Sequence, residues 1–421
     1  MTLSGCGSAA QGGGTTGDIS LAAANVPRLS TSSDDAVQAG AAVNAFGLDL
    51  YRRIAAADPA TNAVLSPASI ALALAMARAG ARGGTATEMD AVLHGFGSDE
   101  HAVWPAALDA ALTARSGTFS DRSGEPATVT LRIANTPFAD RSMPLEPAYL
   151  DALGARFGAG LSLVDFKQAP DATRALINGW VGDHTEQRIP ALLGPGTIDD
   201  RTRLVLVNAI YLKAGWQFPF DEGITNRLPF TRADGTTIDV PVMHDMDEFG
   251  YASGDDWKAV ELPYVGGELA MLVIVPDNLA TFEATLDQPA LAAITSALEP
   301  RTVNLGLPTF AAQSRLGLGD LLGALGMPTA FTDRADFSGI TTEEQLLIDA
   351  VIHQANIDVD EHGTEASAAT AVMMRPASLP LDIVNLTVDR PFLLALRDLD
   401  TGAVVFLGRI SDPSLAAGSG S

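Results

Sequence analysis

The chain has 421 residues, of which 47% are hydrophobic and 18% charged, so it can bury a large core and is not disordered as a whole. A formal net charge of −25, from 26 basic and 51 acidic residues, argues against binding to nucleic-acid phosphates, which requires clustered cations. A single cysteine excludes a disulfide framework and a cysteine-based metal site, and no run of about 18 apolar residues is present to span a membrane.

The lone cysteine lies near the start, in Leu3-Ser4-Gly5-Cys6, which resembles a bacterial lipobox, the motif whose cysteine becomes lipidated. A signal peptide also needs a basic and an apolar stretch before that motif, and only two residues precede it here. Two interpretations stay open: an anchor at Cys6 on the cell exterior, or a chance match in a soluble protein. Residues 1–36, rich in Gly, Ser, Thr and Ala, predict a flexible tether.

Two buried helices are predicted in the first part of the chain. The spacing of apolar residues predicts a helix over Ala36–Ala57. Ser66-Pro67 is typical of a helix start, because serine caps the first turn and proline fits its first position. The helix that follows, Ala68–Ala79, is apolar nearly all round and is expected to be buried.

Strand patterns recur through the rest of the chain, and no linker or internal repeat divides it. Of the five segments given next, the first two are continuously apolar, as in strands covered on both faces, and the third alternates apolar and polar residues. The segments are Leu204–Leu212, Leu269–Val275, Val351–Asp360, Phe392–Leu396 and Val404–Leu407. Residues 37–415 are therefore predicted to form one α+β domain, followed by a short disordered tail, 416–421.

Motifs of catalytic and metal centres are absent from the sequence. It has no hydrolase elbow of the Gly-x-Ser-x-Gly type, no His-Glu-x-x-His pair and no phosphate-binding loop that ends in Lys-Ser or Lys-Thr. Six histidines are scattered without the spacing of metal ligands. We therefore predict no catalytic residue, no metal and no cofactor.

The most informative segment follows the strand that ends at Asp360. From Gly363 to Asp382 the pattern predicts a loop of about 20 residues, and a loop of that length inside a compact domain is usually functional. Small or β-branched side chains occupy every second position of its first half. These positions are Thr364, Ala366, Ala368, Thr370 and Val372.

The start of this loop resembles the hinge of the reactive-centre loop in inhibitory serpins. The matching residues are Glu361, Gly363, Thr364, Glu365, Ala366, Ser367, Ala368, Ala369 and Thr370. The resemblance, to serpins of bacterial type, extends over nearly all of residues 38–415. Further segments match in the same order: Asn62 with Leu65–Ile70, Asn178–Val181, Leu206–Trp216, Asp336–Ile340, His353, Arg390–Phe392 and Phe406–Arg409.

The resemblance implies a metastable serpin fold with three β-sheets, about eight to nine helices and an exposed reactive-centre loop. In inhibitory serpins a serine protease cleaves this loop, and the loop then inserts into the main sheet as a new strand and traps the acyl-enzyme. The resemblance thus implies a monomeric protease inhibitor, not an enzyme, whose partner is a serine protease held in a covalent complex. Two alternatives stay open: a non-inhibitory serpin that acts as a binding protein, and an inhibitor of cysteine proteases.

Family spacing places the scissile bond at Ala377-Ser378 or at an adjacent bond. A small residue at this position favours elastase-like or subtilisin-like proteases, whose first pocket accepts small side chains. Arg375 would favour a trypsin-like protease, but Pro376 follows it and usually blocks such a cut. The residues that flank the bond are Met373, Met374, Arg375, Pro376 and Leu379.

The resemblance also assigns residues to the opening of the main sheet. Ser66, Ser69, Asn208 and His353 are expected to form a buried polar network where two strands part, and Trp216 to lie at the top of the sheet, where the loop enters. Their expected role is to gate the sheet, not to perform chemistry.

Two departures from the family pattern affect the predicted contacts. In relatives Glu361 often pairs with a lysine, and Thr309 occupies the corresponding position here, so we predict that this salt bridge is absent. Basic glycosaminoglycan-binding patches occur in some relatives. With only three lysines in this sequence, at 167, 213 and 258, we predict no glycosaminoglycan partner.

Overall fold

The computed structural model describes residues 18–58, 60–365 and 382–415. In these residues nine α-helices are present, which are α1 (Ser33–Ala57), α2 (Pro67–Arg78), α3 (Gly83–Val92), α4 (Trp104–Thr113), α5 (Pro147–Phe157), α6 (Pro170–His184), α7 (Leu279–Thr285), α8 (Gln288–Ser296) and α9 (Gly319–Leu325). None of these helices is both long and apolar enough to cross a lipid bilayer.

The same residues contain seventeen strands. In chain order they are β1 (Ser20–Ala22), β2 (Ala63–Leu65), β3 (Gly117–Ser120), β4 (Pro126–Asp140), β5 (Leu161–Val164), β6 (Leu204–Gly215), β7 (Asn226–Thr231), β8 (Thr237–Ser253), β9 (Trp257–Pro263), β10 (Leu269–Pro276), β11 (Glu299–Pro308), β12 (Phe310–Gly317), β13 (Ala350–Asp360), β14 (Gly363–Thr364), β15 (Val384–Thr387), β16 (Phe392–Asp398) and β17 (Val404–Ile410).

Hydrogen bonding joins the described strands into two sheets. The first, which we call sheet A, has the order β1-β5-β4-β6-β14-β13-β12, with β3 paired to β4. The second has the order β15-β11-β8-β9-β10-β16-β17-β2, with β7 paired to β8. The predicted three sheets correspond to sheet A and two parts of the second sheet, because β8 pairs with β7 and β11 along most of its length and with β9 only over Gly250–Ser253. The α+β fold class is confirmed.

The predicted helix start at Ser66-Pro67 is confirmed, and it begins the central helix of the molecule. The Ser66 hydroxyl accepts a hydrogen bond from the backbone N–H of Ser69, and Pro67 occupies the first turn, where its missing N–H costs nothing. All residues of α2 are buried. Because α2 contacts α1, β4, β6 and β17, it lies between sheet A and the rest of the core.

The predicted central strands are also confirmed. In β6 every residue except Lys213 is buried, since β4 and β13 flank it in sheet A and α2 contacts it. β13 alternates between the two faces as predicted, and β10, β16 and β17 are buried along almost their whole length. The polar site described below therefore lies inside a well-packed sheet.

Residues 18–36, which we predicted as the end of a flexible tether, are packed against the domain. β1 pairs antiparallel with β5 at the edge of sheet A. α1 begins at Ser33, because Ser32 and Asp35 form a capping box: each side chain bonds to the backbone N–H of the other residue. A small-residue composition predicted flexibility, but pairing with a distant strand determines the conformation of these residues.

Candidate functional site

A short strand, β14, lies at the point in sheet A where a further strand could be added. Gly363 and Thr364 pair antiparallel with Gly215 and Ala214 of β6 on one side and with β13 on the other. Further down the sheet, β6 and β13 pair directly and in parallel, over Val205–Ala209 and Ala350–Gln354. The start of the predicted hinge is thus already a strand of sheet A.

Gly363 is the residue that allows this close approach. Its φ of +150° lies in a region that side chains disfavour. A Cβ atom at this position would lie 2.1 Å from the carbonyl oxygen of Ala214, far inside van der Waals contact. Only glycine therefore permits the chain to turn from β13 into β14 against β6.

Thr364 contacts Tyr264, which is one of two stacked aromatic side chains next to β14. Its hydroxyl lies 2.6 Å from the Tyr264 hydroxyl, and both side chains are buried. The Tyr264 ring stacks on Trp216 with a centroid distance of 4.5 Å, and the Trp216 indole N–H donates to the carbonyl of Asp360 at 2.9 Å. Trp216 therefore lies next to β14.

Glu365, which directly follows β14, has an unfavourable backbone conformation. Its φ of +50° is left-handed, which costs about 1 kcal/mol for a residue other than glycine. Its carboxylate is buried and lies 3.3 Å from the Arg188 guanidinium. Burial raises the pKa of Glu365 to about 7, Asp358 acts in the same direction, and the positive charges of Arg188 and Lys213 oppose it. The carboxyl group is thus poorly stabilised in its charged form.

The turn between β13 and β14 is held by contacts that the sequence did not reveal. The Glu361 carboxylate accepts a hydrogen bond from the Thr225 hydroxyl at 2.7 Å, and it lines a surface cavity together with Thr309. His362 lies 2.7 Å from the Glu222 carboxylate. Glu361 therefore has Thr225 as a hydrogen-bond partner, which lies elsewhere in the chain than Thr309, the position where relatives often have a lysine.

A buried polar network lies lower in the sheet, where β6 and β13 pair directly. The backbone N–H of Ser66 donates to Nε2 of His353 at 3.0 Å, so the ring proton must be on Nδ1, which donates to Oδ1 of Asn208. The amide of Asn208 donates to Oγ of Ser69 at 2.6 Å. The structure thus brings together the four residues predicted for this network, on α2, β6 and β13.

Asn135 of β4 is a fifth member that sequence reasoning missed. Its side-chain oxygen accepts from Asn208 at 2.7 Å and from Ser69 at 3.0 Å, and its amide donates to the backbone carbonyl of Ser69 at 2.7 Å. Burial lowers the pKa of His353 to about 3, so the ring is neutral. Asn135 could have been found only from the register of β4 against β6, which pairs it with Asn208.

Several predicted site residues lie outside the described residues. They are Cys6, the hinge residues Ala366, Ser367, Ala368, Ala369 and Thr370, and the residues around the scissile bond, Met373, Met374, Arg375, Pro376, Ala377, Ser378 and Leu379. Within the part of the chain that the structure describes, no group of three or more His, Cys, Asp or Glu side chains could hold a metal ion.

Comparisons with known proteins agree with this geometry. A family model described as Serpin (serine protease inhibitor) matches residues 41–413. A leukocyte elastase inhibitor of Bos taurus is 35% identical over 387 residues, which cover 89% of this chain and 100% of that protein. The Ixodes ricinus protein named Iris is 35% identical over 377 residues, which cover 87% of this chain and 97% of that protein.

A solved structure shows the same fold. Crystalline uncleaved ovalbumin matches with a TM-score of 0.77 and 27% identity, over 89% of this chain and 100% of that chain. The chain therefore belongs to the serpin family and has the serpin fold. The family model is described as one of serine protease inhibitors, and the bovine relative is named as an inhibitor.

Proposed function

We propose that this protein is an irreversible suicide-substrate inhibitor of serine proteases of the elastase or subtilisin type. In the proposed mechanism the protease cleaves the loop at Ala377-Ser378 and forms an acyl-enzyme. The freed segment then enters sheet A between β6 and β13 and carries the protease with it. The observation that carries this proposal is β14, which already occupies the first two positions of that path.

The register of β14 defines where the rest of the loop would go. If the antiparallel pairing of Thr364 continues, Ala366 and Ala368 come next along β6 and β13, and Thr370 arrives between Asn208 and His353. These small side chains add little volume to a packed sheet. Full insertion would therefore separate the pair of residues that now closes the polar network.

The length of the loop also suits this mechanism. Fourteen residues from Thr364 to Ala377 extend about 46 Å at roughly 3.3 Å per residue, enough for a strand that runs the full height of a sheet. The bovine relative is named an inhibitor of leukocyte elastase. A small residue before the scissile bond supports a protease of that pocket type for this chain as well.

A denaturing gel tests the proposal. The protein is mixed with elastase, with subtilisin and, separately, with the cysteine protease papain. We expect a covalent band of the summed mass with one of the serine proteases, and no such band when the active-site serine has first been blocked with a sulfonyl fluoride. Cleavage of the loop without a covalent band would indicate the non-inhibitory alternative. A band with papain alone would indicate the cysteine-protease alternative.

The cut site is tested on the same samples. Mass spectrometry of the released C-terminal fragment should give a first residue of Ser378. A fragment that begins at Pro376 would instead indicate a cut after Arg375 and a trypsin-like target.

The lipid anchor at Cys6 stays a prediction. If Cys6 is lipidated, cells that express the full-length protein should incorporate labelled fatty acid into it, and Cys6→Ser should abolish the label. Unlabelled parent protein would indicate that the lipobox match is due to chance.

A further inference from the structure

Residues 18–32, which we call the N-terminal strap, run from the outer edge of sheet A to the start of α1. At one end β1 pairs with β5 and Ile19 packs against the hydrophobic cluster between sheet A and α6. At the other end the backbone N–H of Leu29 donates to the carbonyl of Ala155 in α5 at 2.9 Å. The strap is thus bound to the domain at both ends.

Two glycines make room for the strap where it passes α5. A Cβ atom at Gly154, in α5, would lie 2.7 Å from a methyl carbon of Val26. A Cβ atom at Gly160, just before β5, would lie 2.6 Å from the carbonyl oxygen of Ala22. Glycine inside a helix costs about 1 kcal/mol relative to alanine, so the bound strap gives a physical reason for a glycine in the middle of α5.

The strap links the edge of sheet A to helices that are fixed on the core. The Tyr149 hydroxyl of α5 donates to the carbonyl of Met76 in α2 at 3.1 Å. From the strap, Arg28 reaches α4 and pairs with Asp109 at 2.8 Å. One end of the strap is therefore part of the sheet, and the other end is attached to α4 and α5.

Insertion of a strand between β6 and β13 requires these two strands to part. The new strand would move β6 and β13 about 4.8 Å further apart, which is the spacing between neighbouring strands. The part of the sheet on one side of the insertion point is β1-β5-β4-β6. Its outermost strand, β1, belongs to the strap. A shift of this half of the sheet would stretch or detach the strap.

We propose that the N-terminal strap is a brake on the opening of sheet A. While bound, it holds the edge of the sheet to α5 and α4 and slows the separation of β6 from β13. Because such a brake matters only where a strand is inserted, it rests on the function proposed above. Release of the strap would speed insertion and lower the resistance of the uncleaved protein to heat.

The test uses alanine substitutions that collide with the strap. Gly154→Ala combined with Gly160→Ala should detach it, although alanine alone favours the helix. The rescued variant combines Gly154→Ala with Val26→Ala and keeps Gly160. Val26→Ala removes the methyl carbon that the new side chain at position 154 would strike, so the strap should stay bound in this variant. The matched control is Gly179→Ala in α6, where a Cβ atom meets nothing within 4 Å.

Two measurements are made on each full-length variant. Hydrogen exchange of the amides in residues 18–32 reports whether the strap is bound. The insertion rate of a synthetic peptide that copies residues 364–377, followed on native gels, reports sheet opening without any protease. For the double glycine variant we expect insertion at least about five-fold faster than in the parent, which corresponds to about 1 kcal/mol in the barrier. The control and the rescued variant should both insert the peptide at the rate of the parent.

Each outcome decides the proposal. A released strap with an unchanged insertion rate would overturn it. If the strap stays protected in the double variant, a full-length chain with Gly and Ser in place of residues 18–30 removes the side-chain contacts of these residues, and its insertion rate decides once hydrogen exchange shows the segment to be released. A parent protein that traps no protease, but whose peptide insertion accelerates on release of the strap, would overturn the proposed function and support the brake.

Discussion

At the scale of single residues, a hydrogen bond between the hydroxyl groups of Thr364 and Tyr264 stabilises the hinge in the sheet, whereas the buried carboxyl group of Glu365 destabilises it there. Thr364 is small enough to lie under the stacked rings of Tyr264 and Trp216, and its hydroxyl has a partner there. Glu365 follows at once with a left-handed backbone and a buried carboxylate. The chain is therefore stabilised inside the sheet at one residue and destabilised at the next.

A charge in place of Thr364 should block insertion. Thr364→Arg would put a long cation where the threonine side chain is 1% exposed, and burying an unpaired charge costs several kcal/mol. The cleaved loop should then enter too slowly to trap the acyl-enzyme, so the protease releases cleaved product. On denaturing gels we expect the covalent band to be replaced by the cleaved form.

The matched control for this variant is Thr237→Arg, at an exposed threonine of β8. It should leave the covalent yield unchanged. If Thr364→Arg gives the same covalent yield as the parent, the hinge does not enter the sheet at this position.

Glu365 should make the bound hinge sensitive to pH. The pKa of its carboxyl group is about 7 in the folded protein against an ordinary value of 4.5, because burial favours the protonated form. Its contribution to stability is therefore complete below about pH 4.5 and is lost as the pH rises through about 7. The groups that face it are Arg188, Asp358, Lys213 and Tyr211.

The measurement compares the melting temperature of the parent with that of Glu365→Gln between pH 4.5 and 8. Relative to the variant, which cannot ionise at this position, the parent should lose stability as the pH rises. Glu248→Gln, at an exposed position of β8, is the control. The difference between its melting temperature and that of the parent should stay constant across this pH range. A constant difference between parent and Glu365→Gln across the range would contradict the assignment.

At the scale of secondary-structure elements, the polar network joins α2, β4, β6 and β13 below the hinge. The two hydrogen bonds of the His353 ring require it to be neutral, because Nε2 must accept from the Ser66 backbone while Nδ1 donates to Asn208. A protonated ring would carry a second N–H with no acceptor and an unpaired buried charge. The network therefore fixes the protonation state of the ring.

His353 should make the protein less stable in acid. Its pKa is lowered from 6.5 to about 3 by burial, so between these values the unfolded chain binds a proton that the folded chain does not. Between pH 6.5 and 4.5 the expected loss in the free energy of unfolding is about 2 kcal/mol, at about 1.4 kcal/mol per unit. Urea unfolding at several pH values measures it.

The comparison variant is His353→Asn, which lacks the titrating group. It should be less stable at neutral pH, because network hydrogen bonds are lost, but its stability should fall less on acidification. His94→Asn, at an exposed histidine, should keep the slope of the parent. A parallel fall in the parent and His353→Asn would show that other groups cause the acid sensitivity.

The elements could largely be predicted from the sequence, whereas the contacts between distant residues could not. β6 and β13 follow from a continuous apolar run and from alternation, and the cap of α2 follows from Ser66-Pro67, because these signals are local. Tyr264 and Asn135 reach the site only through the register of neighbouring strands. The strap was predicted to be flexible from its small-residue composition, and nothing in that composition indicates the glycines, one in α5 and one just before β5, that it packs against.

At the scale of the whole molecule, the described strands β6 and β13 of sheet A are joined in two different ways along their length. The direct pairing of β13 with β6 ends at Gln354, and the two strands are bridged by β14 above it. A full strand between them would form backbone hydrogen bonds on both sides, each with a net contribution of about 1 kcal/mol. The uncleaved protein is therefore expected to be less stable than the form with the inserted strand.

Cleavage of the loop should therefore make the protein more resistant to heat. Limited digestion that cuts only near Ala377 frees the segment from Thr364 onwards to enter sheet A, and each further pair of hydrogen bonds raises the free energy of unfolding. About ten further hydrogen bonds at about 1 kcal/mol each would raise the melting temperature of a chain of this size by about 10 °C. Circular dichroism melts of the intact and the cleaved protein measure it.

Cleaved Thr364→Arg is the control. The same bond is broken, but the first inserted residue carries a charge, so the rise in its melting temperature should be much smaller. Equal melting temperatures before and after cleavage of the parent would mean that sheet A does not accept the strand, whatever the gel assay shows.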